Sequence, residues 1–564
     1  MSNLKRSCKR IIRFSRIKIG VALLIFIALF NILIVNLFKE KLPQNVIKIS
    51  HQTTSSPFCF KNKTLNESLF KKFVYEKQQL ILNVKVSSHN EDLFLNQTSK
   101  HVKHRNDFGV WAFKHSILEI PLNSCERVRH RIEPAFQIHK QYRCLRVKQL
   151  VRQGLLEYVL REGDEELCAL VQPIFTRRKL VVWTSDHHSA PVLDFRSLVE
   201  PLGVEFIDHS QYFFCDYFCH CDGIWDFRGL TESNILEMNP EQISKFQKEY
   251  STTDSEIARV DAFAMFYCSS QYELFKPYNK SIISVTALRY EACRTPRRWI
   301  ELNDNLFEIF GKKKHVIGAN NLYDREYIRY FTGLQVDLLP SFCVYTGSVY
   351  NPVHNSFIFY PQRKGFEGSF AEIWSNEFNY YYKNKNSTFE LFAIRSKFQK
   401  YESSDLASHL GIVHIPYQTS TMSIFEQYRI GIPLFFAAYK TFVRWNFKYR
   451  LAYDRTKVGL AGFPNGSDIP PHFSQRGIPD PNDEGDPESH VYWLRFSDFY
   501  TLPHITYFDS IEDLVSILQE MTRERLVHIS SQMRAFNRQV LKKLLIYWRR
   551  RLLDIAQYSQ NHPN

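Results

Sequence analysis

Residues 411–436 read GIVHIPYQTSTMSIFEQYRIGIPLFF, and this stretch decides the fold class. The apolar run at residues 412–415 predicts a buried strand, a polar turn follows, and residues 422–430 have the apolar spacing of a helix. Gly431 ends that helix before a second apolar run at residues 432–436. A strand, a helix and another strand in this order form a βαβ unit, which predicts a parallel sheet.

The polar turn of this unit, residues 418–423, follows the carboxyl end of a strand, where open α/β sheets bind their ligands. The N-terminus of the next helix presents unpaired backbone N–H groups and favours a phosphate. Glu426 lies one turn into that helix, and its carboxylate can accept two hydrogen bonds from a sugar diol. The alternative is that Glu426 is a solvent-facing helix residue and that Gly431 only ends the helix.

Further βα units extend on both sides of this stretch. On its N-terminal side, strands are predicted at residues 180–184, 204–207, 262–267, 282–287 and 316–319, with helices at residues 194–202, 271–275, 296–310 and 324–331. Around it, strands are predicted at residues 357–360, 389–394, 412–415 and 432–436, with helices at residues 370–378, 404–410 and 422–430. Two parallel sheets are therefore expected, joined by the turn-rich residues 340–352.

The chain has 564 residues, 44% of them hydrophobic and 15% aromatic, which is enough for more than one core. We predict an α/β fold with two Rossmann-like βα domains facing a cleft, preceded by a transmembrane helix and a stem. The predicted divisions are a cytosolic tail at 1–18, a signal anchor at 19–38, a stem at 39–130, βα domains at 131–345 and 346–510, and C-terminal helices at 511–564. The Pro, Gly and Asp content of residues 462–490 predicts an exposed loop.

Residues 19–38 read IGVALLIFIALFNILIVNLF and carry no charge. A helix rises 1.5 Å per residue, so this run spans the roughly 30 Å hydrocarbon core of a bilayer. Seven cations and no acid precede it, namely Lys5, Arg6, Lys9, Arg10, Arg13, Arg16 and Lys18. A cleaved signal peptide is the alternative, but its apolar core is only about 7–15 residues long and ends at small residues. The one-sided basic flank predicts a single-pass type II protein whose remainder is lumenal.

A lumenal chain is open to N-glycosylation and to disulfide formation. The Asn-x-Ser/Thr pattern occurs beyond the anchor at Asn62, Asn66, Asn96, Asn279, Asn386 and Asn465. Ten of the 11 cysteines also follow the anchor, so disulfides are the default expectation. Cys215, Cys219 and Cys221 are close in sequence and include His220 among them, which leaves local disulfides, zinc and buried free thiols as alternatives; no second ligand pair follows at zinc spacing.

The net charge of +15 suits an anionic ligand such as a nucleotide diphosphate, although a solvated basic surface accounts for it equally well. A lumenal location excludes nucleic acid as a partner.

The spacing of Glu426, Gly431 and Pro433 resembles the donor-nucleotide region of GT-B glycosyltransferases. In that family an acidic residue, seven others and a Glu are followed five residues on by Gly-x-Pro. The resemblance implies that Glu426 holds the donor ribose and that Gln418, at the acidic position, contacts the donor sugar. A Gln at that position departs from the pattern and weakens the case for a retaining mechanism. Ser420 and Gly431 complete the donor-binding candidates in this stretch.

A basic turn follows the strand predicted at residues 357–360 and reads PQRKG from Pro361. The family's basic pair for the donor diphosphate lies in a comparable place, so the resemblance implies this role for Arg363 and Lys364. A guanidinium can bind phosphate oxygens through two parallel hydrogen bonds. A solvated loop is the alternative for this turn. By the same resemblance, domain 346–510 binds the nucleotide sugar and domain 131–345 binds the acceptor.

The candidate catalytic residues follow the first strand of the acceptor domain and are Asp186, His187 and His188. A histidine supported by a carboxylate is a plausible general base for an acceptor hydroxyl, although histidine is also common in polar loops. Four further polar residues follow later strands of the same sheet and are acceptor-site candidates: Arg289, Glu291, Asn320 and Asn321. The carboxyl ends of parallel strands share one edge, so these residues are expected along the same cleft.

The chain has no Asp-x-Asp metal motif, no phosphate-cradling loop after its first strand and no Gly-x-Ser-x-Gly elbow. These absences argue against a GT-A enzyme, a sulfotransferase and a lipase. We therefore expect a GT-B-type glycosyltransferase of the Golgi or endoplasmic reticulum membrane that moves a sugar from a nucleotide-sugar donor, its co-substrate, to a glycan or glycoprotein acceptor. No metal or other cofactor is expected. The alternative is a non-catalytic lumenal glycan-binding or scaffold protein with the same fold.

Overall fold

The computed structural model describes residues 124–132, 143–186, 188–210, 239–251, 254–267, 269–291, 294–361, 369–452, 466–467 and 469–562. Eleven strands occur among them: β1 Leu180–Thr184, β2 Val204–Asp208, β3 Ala262–Met265, β4 Ser281–Thr286, β5 Val316–Ala319, β6 Asp337–Leu338, β7 Ser356–Pro361, β8 Glu390–Ala393, β9 Gly411–Ile415, β10 Leu434–Ala437 and β11 Thr506–Phe508. All of the strand pairs in these two sheets are parallel.

The helices that precede or accompany the first sheet are α1 Ser124–Arg129, α2 Arg143–Glu162, α3 Glu165–Leu170, α4 Ser189–Val199, α5 Pro240–Glu249, α6 Ser255–Arg259, α7 Tyr272–Phe275, α8 Pro296–Ile309 and α9 Leu322–Thr332. Those that follow are α10 Ser369–Asn384, α11 Ile394–Lys397, α12 Ser403–Ala407, α13 Met422–Ile430, α14 Tyr439–Tyr449, α15 Pro487–Trp493, α16 Asp498–Thr501, α17 Ile511–Glu520 and α18 Arg523–Asn561.

The two sheets have the same chain order. The first runs β2-β1-β3-β4-β5-β6 and the second β11-β10-β9-β7-β8. Read from β8, the second sheet runs β8-β7-β9-β10-β11. When the strands of each sheet are numbered in chain order, both sheets therefore begin 2-1-3-4-5. The direction of winding reverses between β1 and β3 in the first sheet and between β7 and β9 in the second. Such reversals are the points at which open α/β sheets bind ligands. This arrangement confirms the predicted α/β class with two parallel, Rossmann-like sheets.

Each sheet has an aromatic core. Trp183 of β1 is fully buried and has edge contacts with Phe263 and Phe275, while in the second sheet Phe357 of β7 packs edge-on against Phe435 of β10. Strands covered on both faces are mostly apolar, which is why these runs were readable in the sequence.

The long C-terminal helix α18 contacts α13 beside the second sheet and β4 of the first. Its Asn537 side chain donates to the carbonyl of Tyr428, and its Tyr547 hydroxyl donates to Asp337 at 2.5 Å. Glu162, at the end of α2, is buried and accepts from Arg534 and Arg538 of α18, each at 2.7 Å. One helix thus fastens both sheets.

Near its N-terminal end the described region is tied by a disulfide. Cys125 in α1 is bonded to Cys168 in α3. The helix α1 therefore belongs to the folded body, although the predicted stem extends to residue 130. Cys343, expected among the lumenal disulfides, is instead a buried free thiol. The cluster Cys215, Cys219 and Cys221 lies outside the described residues.

Several element predictions were wrong in part. The helix predicted at residues 194–202 begins at Ser189 and ends at Val199, and a 3₁₀ turn follows it. The segment 462–490, predicted to be exposed, buries Asn482 and His490 where it is described, because Asn482 bonds inward to Tyr327. Proline and glycine there mark irregular backbone rather than exposure. The strands β6 and β11 were missed.

None of the described helices is long and apolar enough to cross a membrane. The stretch predicted to be the anchor, residues 19–38, lies outside the described residues.

Candidate functional site

At the reversal point of the first sheet, the Asp186 carboxylate joins the ends of two strands. Its Oδ2 accepts hydrogen bonds from the backbone N–H groups of Phe266 at 2.6 Å and Tyr267 at 3.0 Å, just beyond β3. Its Oδ1 accepts from the backbone N–H of His188 at 3.2 Å. Asp186 is fully buried. A carboxylate bonded in this way holds β1 and β3 together at their carboxyl ends.

His188 caps the helix α4. Its Nδ1 accepts a hydrogen bond from the backbone N–H of Ala190 at 3.3 Å, and its ring stacks on Tyr267 with centroids 5.3 Å apart. This cap explains why α4 begins at Ser189, five residues before the predicted start. His187, the other candidate base, lies outside the described residues.

The acceptor candidates form one buried cluster around Asp324. Asn321 caps α9 and donates from its side chain to Asp324 at 2.6 Å and to Asn320 at 2.8 Å. The Arg289 Nε lies 2.9 Å from the other oxygen of Asp324. Arg289 is only 3% exposed, and its guanidinium lies 4.6 Å from the centre of the Tyr323 ring. Burial together with pairing makes this contact costly to break from one side.

Glu291 belongs to the same edge. Its carboxylate accepts from the hydroxyl of Tyr327 at 2.8 Å, and that hydroxyl also accepts from the Asn482 side chain at 2.9 Å. Segment 466–496 is thereby bonded to the carboxyl edge of the first sheet.

The turn after β9 is anchored by Asp498. The Ser420 hydroxyl donates to the Asp498 carboxylate, and the backbone N–H of Asp498 donates to the Thr419 carbonyl at 3.1 Å. Burial raises the pKa of Asp498 well above its ordinary value, the hydrogen bond from Ser420 opposes this, Asp324 adds to it, and Arg289 opposes it. The pKa of Asp498 therefore depends on Asp324 and Arg289 of the first-sheet cluster.

Two acceptor candidates of the first sheet lie against residues 418–423, the turn that contains the donor candidates Gln418 and Ser420. The side chain of Asn320 donates to the sulfur of Met422, at the start of α13, at 3.6 Å. Arg289 of the first sheet and Thr419 of the second line one cavity of about 30 Å³. The carboxyl edges of both sheets thus contribute to a single polar site, which we call the inter-sheet site.

Glu426 contacts the segment that joins the two sheets. Its Oε1 accepts from the Tyr345 hydroxyl at 2.5 Å. Burial raises the pKa of Glu426 to about 7; the bond from Tyr345 opposes this, the Asp194 carboxylate adds to it, and Arg429 opposes it. Glu426 is therefore not a fully exposed helix residue. In this conformation one oxygen of its carboxylate already accepts a hydrogen bond from Tyr345.

The remaining donor candidates divide into two groups. Gln418 is partly exposed in the turn after β9, whereas Gly431 has φ 87° and closes α13. A Cβ on Gly431 would lie 2.7 Å from the Ser530 hydroxyl of α18, so its role here is close packing. Arg363 and Lys364 lie outside the described residues, but they follow β7, whose last residue, Pro361, pairs with Ile415 at the end of β9.

Two of the six glycosylation candidates are described. Asn279 and Asn386 are both exposed and have positive φ values of 53° and 46°. Asn62, Asn66, Asn96 and Asn465 lie outside the described residues. In the part of the chain that the structure describes, no three His, Cys, Asp or Glu side chains are grouped to hold a metal ion.

Sequence reasoning missed Asp324, Asp498, Thr419 and Tyr345. Asp324 had a local signal, since Asn at a helix cap with an acid three residues later resembles a capping box. Asp498 had none, because it lies 78 residues from the Ser420 hydroxyl that it accepts from.

No protein-family model, curated protein or solved structure matches this chain.

Proposed function

We propose that this chain is a glycosyltransferase of GT-B type that transfers a sugar from a nucleotide-sugar donor to a glycan or glycoprotein acceptor in the secretory pathway. The single observation that carries the proposal is the inter-sheet site. Asn320 and Arg289 were chosen from the sequence for the acceptor. Asn320 contacts Met422, Arg289 lines a cavity with Thr419, and both of these partners lie in the turn, residues 418–423, that was chosen for the donor.

The backbone supports a donor at the second sheet. Its winding reverses between β7 and β9, and β7, which precedes Arg363 and Lys364 in the chain, ends beside the end of β9, which precedes the polar turn of Gln418 and Ser420. The helix α13 starts at that turn, and its N-terminus favours an anion. Two cations, a helix N-terminus and hydroxyl groups are the chemistry that a sugar diphosphate requires.

The small size of the cavity at the inter-sheet site favours a second candidate function. Ligand pockets usually measure about 300–1,000 Å³, whereas the cavity shared by Arg289 and Thr419 measures about 30 Å³. A nucleotide sugar enters only if the surrounding segments move. A non-catalytic lumenal glycan-binding or scaffold protein has no such requirement, and this candidate predicts no response to nucleotides.

Nucleotide binding distinguishes the two candidate functions, the glycosyltransferase and the non-catalytic protein. The purified full chain is titrated calorimetrically with nucleoside diphosphates and nucleotide sugars, and a ligand that binds only the native state also raises the melting temperature. We expect one nucleotide class to bind, and Glu426→Ala to weaken that binding by about 1–3 kcal/mol through loss of a charged hydrogen-bond acceptor. Arg363→Ala is expected to act similarly through the diphosphate.

Glu377→Ala is the matched control, since Glu377 is an exposed glutamate on α10, beside the same sheet. Equal affinity in Glu426→Ala, Arg363→Ala and the control contradicts the donor site. Absence of binding by every nucleotide contradicts the enzyme and favours the scaffold.

A further inference from the structure

A second, larger cavity of about 540 Å³ opens at the opposite edge of the first sheet. Its wall includes Ile282 near the start of β4 and His315 just before β5, and residues of α5 and α8 line it. Its volume lies within the range of about 300–1,000 Å³ that is usual for ligand pockets. The cavity is therefore large enough for sugar rings, and it is separate from the inter-sheet site.

Asn279 lies in the wall of this cavity and begins the sequon Asn279-Lys280-Ser281. Its backbone is left-handed, and its side chain is exposed. The amide Oδ1 accepts hydrogen bonds from Lys314 Nζ at 2.8 Å and from the Tyr558 hydroxyl at 2.9 Å. Nδ2 makes no hydrogen bond to any described residue. The oxygen thus orients the amide while the nitrogen, the atom that carries an N-glycan, stays available.

We infer that Asn279 carries an N-glycan whose first sugars lie in this cavity. In the modification, Nδ2 forms a bond to the anomeric carbon of an N-acetylglucosamine, the bond from that carbon to the diphosphate of a lipid-linked oligosaccharide breaks, and one amide proton is released. The inference requires the lumenal topology but not the proposed enzymatic activity.

The lining suits a neutral sugar better than a phosphate. Two of its cations are already paired with acids, Lys276 with Glu308 and Arg298 with Glu273. The wall also contains small polar groups and apolar surface, including Ser244, Asn305, Ile243 and Pro277. A pyranose ring presents hydroxyl groups at its rim and C–H groups on its faces, so both kinds of surface find partners.

The glycan also has a structural consequence. Tyr558 lies in the last turns of α18, and its ring has Lys314 Nζ 4.3 Å from its centre. Asn279 is bonded to both of these residues, so sugars that immobilise Asn279 hold the end of α18 against the first sheet. Asn386 is a matched comparison, because it is an exposed sequon asparagine with a similar backbone and lines neither of the two cavities.

The decisive variant is Ser281→Ala, which removes the sequon but leaves Asn279 and its partners in place. The Ser281 hydroxyl is buried and has no hydrogen-bond partner among the described residues, so its removal is not expected to destabilise the chain by itself. In the glycosylated full chain we expect Ser281→Ala to lower the melting temperature by about 2–4 °C. In chain produced by bacteria, which lacks the glycan, the same substitution is expected to cause no decrease. Thr388→Ala, which removes the Asn386 sequon, is the control and should leave the melting temperature unchanged.

Occupancy and burial are measured on the same samples. Glycopeptide mass spectrometry is expected to find sugar on Asn279, and an amidase that removes whole N-glycans should release it only after denaturation while releasing that of Asn386 in the native state. If Asn386 carries a glycan and Asn279 does not, or if the amidase releases the glycans of both equally in the native state, this inference is wrong while the lumenal topology stands. A chain without glycan at any asparagine overturns both the inference and the lumenal topology.

Discussion

Two carboxyl groups on different elements interact across the segment that joins the sheets. Asp194 of α4 accepts from the backbone N–H groups of Phe342 and Cys343, and Glu426 of α13 accepts from Tyr345. Burial raises the pKa of Asp194 to about 6, against the hydrogen bonds from Cys343 and Phe342, and raises that of Glu426 to about 7. The ordinary values are 3.8 and 4.5.

Because both folded-state pKa values exceed the unfolded ones, the native state binds protons more tightly than the unfolded state does. Their contribution to stability is complete below about pH 4 and is lost as the pH rises through 6 and 7. We expect the free energy of unfolding, measured in urea, to fall between pH 5 and pH 8. The free energy of unfolding of the Glu426→Gln variant should fall less over this pH range, because the neutral amide still accepts the hydrogen bond from Tyr345 but does not titrate.

The titratable and charged neighbours of Glu426 include Tyr345, Asp194, Arg429, Tyr360 and Tyr401, and those of Asp194 include Cys343. Burial raises the pKa of Tyr345 and Cys343 far above this range, and Arg429 keeps its charge throughout. Glu377→Gln on the exposed face of α10 is the control. A pH dependence that is the same in Glu426→Gln as in the unaltered chain contradicts the assignment.

At the scale of elements, His188 at the start of helix α4 has two roles that variants can distinguish. The imidazole caps the helix, and it is also a candidate base for the acceptor hydroxyl. His188→Ala removes both functions and costs about 0.5–2 kcal/mol in capping. His188→Asn keeps a capping side chain but has no titrating ring. If His188 is the base, His188→Asn lowers turnover by about 10²–10⁴-fold with nearly unchanged melting temperature and donor affinity.

His187→Ala is assayed in parallel for turnover and donor affinity. A loss confined to His187→Ala assigns the base to that residue. Near-full turnover in both variants removes this turn from the mechanism, and Glu291 at the neighbouring strand end becomes the next candidate. Asp186→Asn is not a clean test, since the Asp186 carboxylate joins β1 to β3 and its loss changes the fold locally.

At the scale of the whole molecule, α18 determines how the two sheets are joined. Arg549, in its second half, donates to the carbonyls of Leu170 and Gln172 before the first sheet, and Asn537 bonds the end of α13 beside the second. Any opening that admits a nucleotide sugar to the inter-sheet site must therefore occur in the segments around the site or bend this helix.

The predicted membrane topology is tested on the same full chain. Expressed in eukaryotic cells, it should shift to higher gel mobility after an N-glycan amidase, because the predicted topology places its sequons in the lumen. Protease added to sealed vesicles should remove only the N-terminal tail, since the predicted topology places this tail and its seven cations in the cytosol. An unchanged mobility, or a protected N-terminus, is incompatible with a type II protein.

The sequence by itself determined the alternation of strands and helices. Strands such as β1 and β5 were predicted with their observed ends because both of their faces are covered, every position is buried and the residues are mostly apolar. Helix α13 was also predicted residue for residue, since Gly431 has the left-handed conformation that ends it. The two short strands β6 and β11, at sheet edges and two and three residues long, contain too few positions to show a period.

Only the tertiary structure decided which polar residues meet. Asp498 accepts from Ser420, Arg289 pairs with Asp324, and Tyr345 donates to Glu426, yet none of these pairs has a helical or strand spacing in the chain. Local periodicity reports which face of an element is buried, whereas a contact between side chains depends on how the elements pack. The same packing gives the Asp186 carboxylate a structural contact that the sequence did not predict, because a buried carboxylate must find hydrogen-bond donors and here the backbone amides beyond β3 supply them.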